Sequence, residues 1–200
     1  MDTTTFTLSK VRCIPMVKLY TLDQAPKLIQ ACKDSGVRAV NVSQQSSDGP
    51  GLLKTLAQEQ DLLVGAGNVQ TYDQAERAIK AGAAFVFSPL FDERMIEFCH
   101  SRSVPIYPVT TQANLASLHK LQVLGCYPVE ELGGLGFIDR MAAEGGFSFF
   151  VAGHIDESMM NHYLDNPHVL GMTGSWMFKD AENWKAVTEA LIRTKQYWLS

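Results

Sequence analysis

The chain has 200 residues, 46% of them hydrophobic and 19% charged, with a formal net charge of −4. That length buries enough apolar surface to fold without a disulfide or a structural metal. Lysines and arginines are scattered singly, so nucleic acid and anionic membrane surfaces are not expected as partners, since both need clustered positive charge. No run of about 18 apolar residues is present, so no membrane span is expected.

The opening Met1-Asp2-Thr3-Thr4-Thr5-Phe6 lacks the basic start and apolar core of a secretory signal. Cys13, Cys32, Cys99 and Cys126 form no C-x-x-C pair. They fall inside apolar segments, where a free thiol acts as a small hydrophobe. These features lead us to expect a cytoplasmic protein.

Short apolar runs rich in β-branched residues alternate with polar, amphipathic stretches of helical length. The runs at 13–19, 39–43, 62–65, 84–87, 104–109, 123–127, 147–152 and 169–172 read as strands. Between and after them, 22–35, 49–60, 71–81, 93–101, 112–121, 135–144, 157–164 and 181–198 read as helices. Thr21 and Thr71 are placed as N-caps, each with a glutamine three residues on. Gly36 and Gly82 end their helices and lead at once into strands. Gly133-Gly134-Leu135-Gly136 reads as a loop before a helix. Eight strand–helix pairs imply parallel strands with crossover helices. They fit a closed (β/α)8 TIM barrel in one domain spanning 1–200, with an open doubly wound sheet as the alternative.

In such a barrel the chemistry gathers at the carboxyl ends of the strands. Those ends supply Lys18, Asn41, Ser43, Gln45, Asn68, Ser88, Thr110, Gly125 to Tyr127, Glu130, Gly153, His154, Gly174 and Ser175. The ring is rich in small and hydrogen-bonding residues and poor in carboxylates. Gly65-Ala66-Gly67-Asn68, Gly153 and Thr173-Gly174-Ser175 have the composition of loops whose backbone N–H groups approach an anion. Tight turns alone would also use these glycines. Lys18 reads as a surface lysine, as a grip on an anionic substrate, or as an amine for a Schiff base, with the grip preferred over the nucleophile. His154 reads as an acid–base group or a plain loop residue. Glu130, Glu131, His154 and Asp156 match no metal-binding spacing, so neither a metal nor another cofactor is expected.

Gly65-Ala66-Gly67-Asn68-Val69, Ala81-Gly82-Ala83-Ala84-Phe85 and Ser88-Pro89 follow one another without a gap. With Ile14-Pro15-Met16-Val17, Val104-Pro105-Ile106-Tyr107-Pro108, Tyr127-Pro128-Val129-Glu130 and Thr173-Gly174-Ser175-Trp176, they run over nearly the whole chain. This order resembles the 2-keto-3-deoxy-6-phosphogluconate (KDPG) and 4-hydroxy-2-oxoglutarate aldolase family. The resemblance implies a (β/α)8 barrel, a homotrimer and a cytoplasmic setting. It also implies cleavage of 2-keto-3-deoxy sugar acids to pyruvate and an aldehyde through a lysine Schiff base on strand six.

The residues that carry that chemistry in the family are the ones that differ here. Gly125 stands where the resemblance places the lysine, and no lysine lies between Lys120 and Lys179. Asn41 and Gln45 stand for the strand-two glutamate and arginine, and Asn68 for a threonine. Ala152 and His154 flank a matching Gly153. Gly174 and Ser175 match on the phosphate side, and Lys18 falls where many members carry an anion-binding arginine. Glycine forms no imine, and an amide moves no proton at neutral pH.

Three functional readings follow. The first is a barrel that binds a small anionic or phosphorylated oxo-acid, with aldolase activity weak or lost. In this reading Asn68, Thr110, Gly153, His154, Gly174 and Ser175 line the ligand site. The second is a pyruvate-releasing aldolase with a relocated nucleophile such as Lys18, with Asn41 and Gln45 at the substituted catalytic positions. The third is a non-catalytic assembly module.

Overall fold

The computed structural model describes residues 1–18 and 20–199. Eight parallel strands wind into a (β/α)8 barrel: β1 (Cys13–Val17), β2 (Ala39–Ser43), β3 (Leu63–Gly67), β4 (Val86–Ser88), β5 (Ile106–Pro108), β6 (Val123–Cys126), β7 (Ser148–Ala152) and β8 (Val169–Gly174). The strand order is β5-β4-β3-β2-β1-β8-β7-β6, and a parallel bridge between Val109 and Gly125 brings the two ends together. The helices are α1 (Thr3–Val11), α2 (Ala25–Ser35), α3 (Gly49–Leu56), α4 (Tyr72–Lys80), α5 (Glu93–Ser101), α6 (Ala113–Leu118), α7 (Val129–Leu132), α8 (Gly134–Gly145), α9 (Met160–Leu164) and α10 (Trp184–Thr194).

The caps read from the sequence are present. Thr71 Oγ1 accepts from the Gln74 amide at 3.2 Å while Gln74 Oε1 accepts from the Thr71 amide at 3.2 Å. Gln24 Oε1 accepts from the Thr21 amide at 3.0 Å. Gly36 adopts φ +67° at the end of α2. The expected strand 13–19 ends at Val17, and its last residue, Leu19, lies outside the described residues. The expected loop at 133–136 is helical from Gly134 onward, and α7 is a further turn ahead of it.

Helix α1 was not anticipated. Asp2 caps it, accepting from the Thr5 amide at 2.8 Å and the Thr5 hydroxyl at 2.6 Å. Its Leu8 and Val11 are buried with Ile14, Ala39, Phe85, Phe87, Tyr107 and Phe150 in a core inside the barrel. A second and larger core lies between the strands and the outer helices, with Val40, Val42, Val64, Val86 and Leu124 on the strand side. Alternate residues of one strand therefore serve different cores, as the two-residue repeat of a strand requires.

The inner core is unusual in its large residues. Tyr107 and Phe150 meet at 4.7 Å between ring centroids, Phe87 and Tyr107 at 5.0 Å, and Phe87 lies 5.5 Å from both Phe85 and Phe150. Glycines make the space. A Cβ on Gly65 would fall 2.2 Å from the Phe85 ring, and one on Gly67 would fall 2.1 Å from Asn41 Oδ1. Gly65 and Gly67 therefore belong to β3 rather than to a loop beyond it, and side chains inside the barrel explain them without an anion.

Two outcomes are expected. Gly65→Ala overpacks the inner core and should destabilise the protein by about 1–3 kcal/mol in urea unfolding; an unchanged midpoint would show that Phe85 yields freely. All four cysteines are free and buried, and burial pushes each thiol up to about 12. A disulfide exchange reagent at pH 8 should therefore label the native protein only as fast as it unfolds, and all four thiols at once in guanidinium chloride. A prompt stoichiometric reaction in the native state would contradict this burial.

Candidate functional site

The carboxyl ends of the strands surround a cavity of about 400 Å³, a size common for small-molecule sites. Lys18, the residue after β1, lies exposed on its rim. Gly153 and His154 reach it directly after β7 through two successive left-handed residues, with φ +103° and +53°. Gly153 has a steric cause, because a Cβ there would come within 2.7 Å of Pro128 Cα. Asn68, also left-handed at φ +54°, leads out of β3 and lines the opposite side.

The end of β8 forms the third wall. Gly174 is its last residue, and Ser175 opens the 3-10 turn Trp176–Phe178, where the Phe178 amide donates to Ser175 O at 3.0 Å. Lys179 closes that turn and lines the cavity. Gly174 differs from the other site glycines. Its φ is not left-handed, and a Cβ would meet only Ile155 O at 3.4 Å and Trp176 Cδ1 at 3.5 Å, ordinary contacts. Nothing in the fold requires glycine there, yet its missing side chain widens the cavity.

The charges around the rim are uneven. Lys18 and Lys179 face one lining carboxylate, Asp156. Hydrogen bonds from the Ser158 hydroxyl at 2.6 Å and the Ser158 amide at 2.9 Å hold Asp156 below its ordinary carboxylate range, with the positive charge of Lys179 adding to the effect. Asp156 therefore stays an acceptor, tied to its own turn. With both lysines charged, the rim favours an anion.

Lys18, Asn68, Gly153, His154, Gly174 and Ser175 thus come together at one cavity. Asn41, Gln45 and Thr110 do not line it. Asn41 is fully buried inside the barrel; its Nδ2 donates to Thr173 Oγ1, which donates in turn to Ile14 O at 2.8 Å. This ties β2 to β8 across β1, and Asn41 Oδ1 has no hydrogen-bond partner among the described residues. Gln45 Nε2 donates to Asn68 O at 2.7 Å, steadying the Asn68 turn from outside. Thr110 Oγ1 accepts from the Gln112 amide at 3.1 Å just before α6. Glu130 accepts from the Tyr163 hydroxyl. Among the described residues no three His, Cys, Asp or Glu side chains are grouped as metal ligands.

Sequence reasoning missed Lys179 and the cavity floor. The signal for Lys179 was its place four residues past Ser175, at the end of one short turn. The floor is formed by Phe87, Tyr107 and Phe150, which are read from sequence only as strand residues. On β6, the cavity meets Gly125. A Cβ at that position would lie 2.9 Å from Tyr107 O and 3.2 Å from Val109 Cγ2, so the neighbouring strand closes over it.

A family model described as "Aldolase: KDPG and KHG aldolase" matches residues 5–190. A 2-dehydro-3-deoxy-phosphogluconate aldolase of Treponema pallidum is 34% identical over 175 residues, covering 85% of this chain and 83% of the relative. A crystal structure of a 4-hydroxy-2-oxoglutarate/2-dehydro-3-deoxyphosphogluconate aldolase from TTHB1 superposes with a TM-score of 0.85 at 28% identity, covering 98% of both chains. KDPG aldolase from Legionella pneumophila, with pyruvate captured as a covalent carbinolamine, shares the fold at a TM-score of 0.87 and 21% identity, over 96% of this chain and 98% of that one. The chain belongs to the KDPG and KHG aldolase family.

Proposed function

We propose that this member of the family binds a small oxo-acid bearing a carboxylate or phosphate, with Schiff-base aldolase activity weak or absent. The observation that carries the reading is the distribution of amines. Lys18 and Lys179 stand at the rim of the cavity, while β6 presents Gly125 to its inner wall. The rim lysines attract the anion, and the Gly174-Ser175 turn leaves room for its oxygens beside backbone N–H groups. A carbonyl held deeper, beside β6, meets no nitrogen able to form an imine. Asn41, bonded to Thr173 beneath the site, acts here as a strut between strands rather than as a proton carrier. The phosphogluconate aldolases among its relatives support a phosphorylated oxo-acid as the ligand class. We extend the proposal to a cytoplasmic homotrimer, the setting that the sequence resemblance implies.

A second reading has one observation in its favour. Lys18 lines the same cavity, so a pyruvate-releasing aldolase that uses its amine as nucleophile would have the group within the site. Borohydride reduction in the presence of pyruvate separates the two. The first reading expects no adduct on peptide mapping, beside a control enzyme that is labelled. An adduct on Lys18 overturns it in favour of the second.

Binding gives the positive test. Inorganic phosphate or 6-phosphogluconate at about a hundredfold its Kd should stabilise the protein by about 2.7 kcal/mol in a melting scan. Lys18→Ala and Lys179→Ala should each weaken that binding by about tenfold or more. Gly174→Ala should keep the melting temperature of the free protein and lose the ligand-induced shift. Absence of a shift with every anion would contradict the reading.

A further inference from the structure

The deep end of the cavity is unlike its rim. Its floor is made of the rings of Phe87, Tyr107 and Phe150, packed at centroid distances of 4.7–5.5 Å. Tyr107 contributes no hydroxyl to the floor. Its oxygen lies 2.8 Å from Thr5 Oγ1, at the opposite end of the barrel, where Thr5 is bonded in turn to the Asp2 cap of α1. The phenol therefore turns carbon toward the mouth. Phe87 keeps 7% of its surface accessible, the most among the three rings. Ser88, which also lines the cavity, spends its hydroxyl on the Leu90 backbone, donating to the carbonyl at 2.8 Å and accepting from the amide at 3.1 Å.

A ligand seated with its anionic end between the rim lysines extends its other end toward these rings. A chain of hydroxyl groups there would lose water and gain few partners, whereas a flat apolar group would bury carbon against carbon. Offset and edge-on ring contacts add to that preference. We propose that the site selects an oxo-acid with an apolar, preferably aromatic, body, anionic at one end, over the polyhydroxylated sugar acids. The inference rests on the anion-binding reading of the mouth and specifies the substrate class of that same site.

Isothermal titration of the full chain with pyruvate, phenylpyruvate, inorganic phosphate and 6-phosphogluconate tests it. Phenylpyruvate should bind about tenfold or more tightly than pyruvate, and more tightly than 6-phosphogluconate. Phe87→Leu, which keeps an apolar side chain but removes the ring, should narrow the gap between phenylpyruvate and pyruvate. Should that variant fail to fold, the order of the four probes on the wild-type protein still decides. Pyruvate or phosphate binding without a gain from the phenyl group overturns this inference and leaves the anion reading standing. A gap that persists in folded Phe87→Leu overturns the assignment of the floor. No binding by any of the four overturns the anion reading as well.

Discussion

The architecture of this barrel depends on how its interior is filled. Four aromatic rings, Phe85, Phe87, Tyr107 and Phe150, come from one side and the far end of the sheet, and glycines give way to them. Gly65 yields space to Phe85, whereas Gly171 yields first to the Arg12 carbonyl, 2.7 Å from a potential Cβ, with Phe150 next to it at 3.1 Å. Interiors are packed as closely as organic crystals, so large residues on some strands require small ones on others. Rings that fill the lower barrel also set the depth of the cavity above. The same packing that stabilises the fold therefore decides what a ligand touches at its far end.

Strand pairing places the polar groups around that plug. The register puts Asn41 beside Met16 and Gly65, and Thr173 beside Ile14, so one buried amide spans from β2 to β8. Between β5 and β6 the barrel closes through the Val109–Gly125 bridge, and glycine lets β5 approach this closely. In this member of the KDPG and KHG aldolase family the wall at this seam is Gly125, which carries hydrogen instead of a side chain. Charge remains at the rim, on Lys18 and Lys179, where long flexible side chains need no change in the barrel.

Much of the fold was legible because alternation, caps and terminal glycines are local signals. Thr71 with Gln74 and Gly36 before Val37 each act within a few residues. Helix α1 escaped notice because four threonines weaken its propensity and its buried face faces the barrel bottom rather than a neighbouring helix. The strand ends marked six of the nine candidate site residues as cavity-lining. Asn41, Gln45 and Thr110 lie at strand ends in sequence, but their side chains are engaged by Thr173, Asn68 and Gln112. Gly65 looked like an anion loop because glycine serves both loops and close packing, and only the position of Phe85 distinguishes these uses. Lys179 is reached from Ser175 by one short turn, whereas the aromatic floor depends on contacts far apart in sequence, which no local pattern encodes.

A crystal structure of the full chain soaked with phenylpyruvate would test the account most directly. It should place the carboxylate between Lys18, Lys179 and the Gly174-Ser175 turn, with the phenyl group over Phe87 and no bond to any lysine. Density continuous with a lysine nitrogen, or a ligand seated away from the β8 turn, would contradict it.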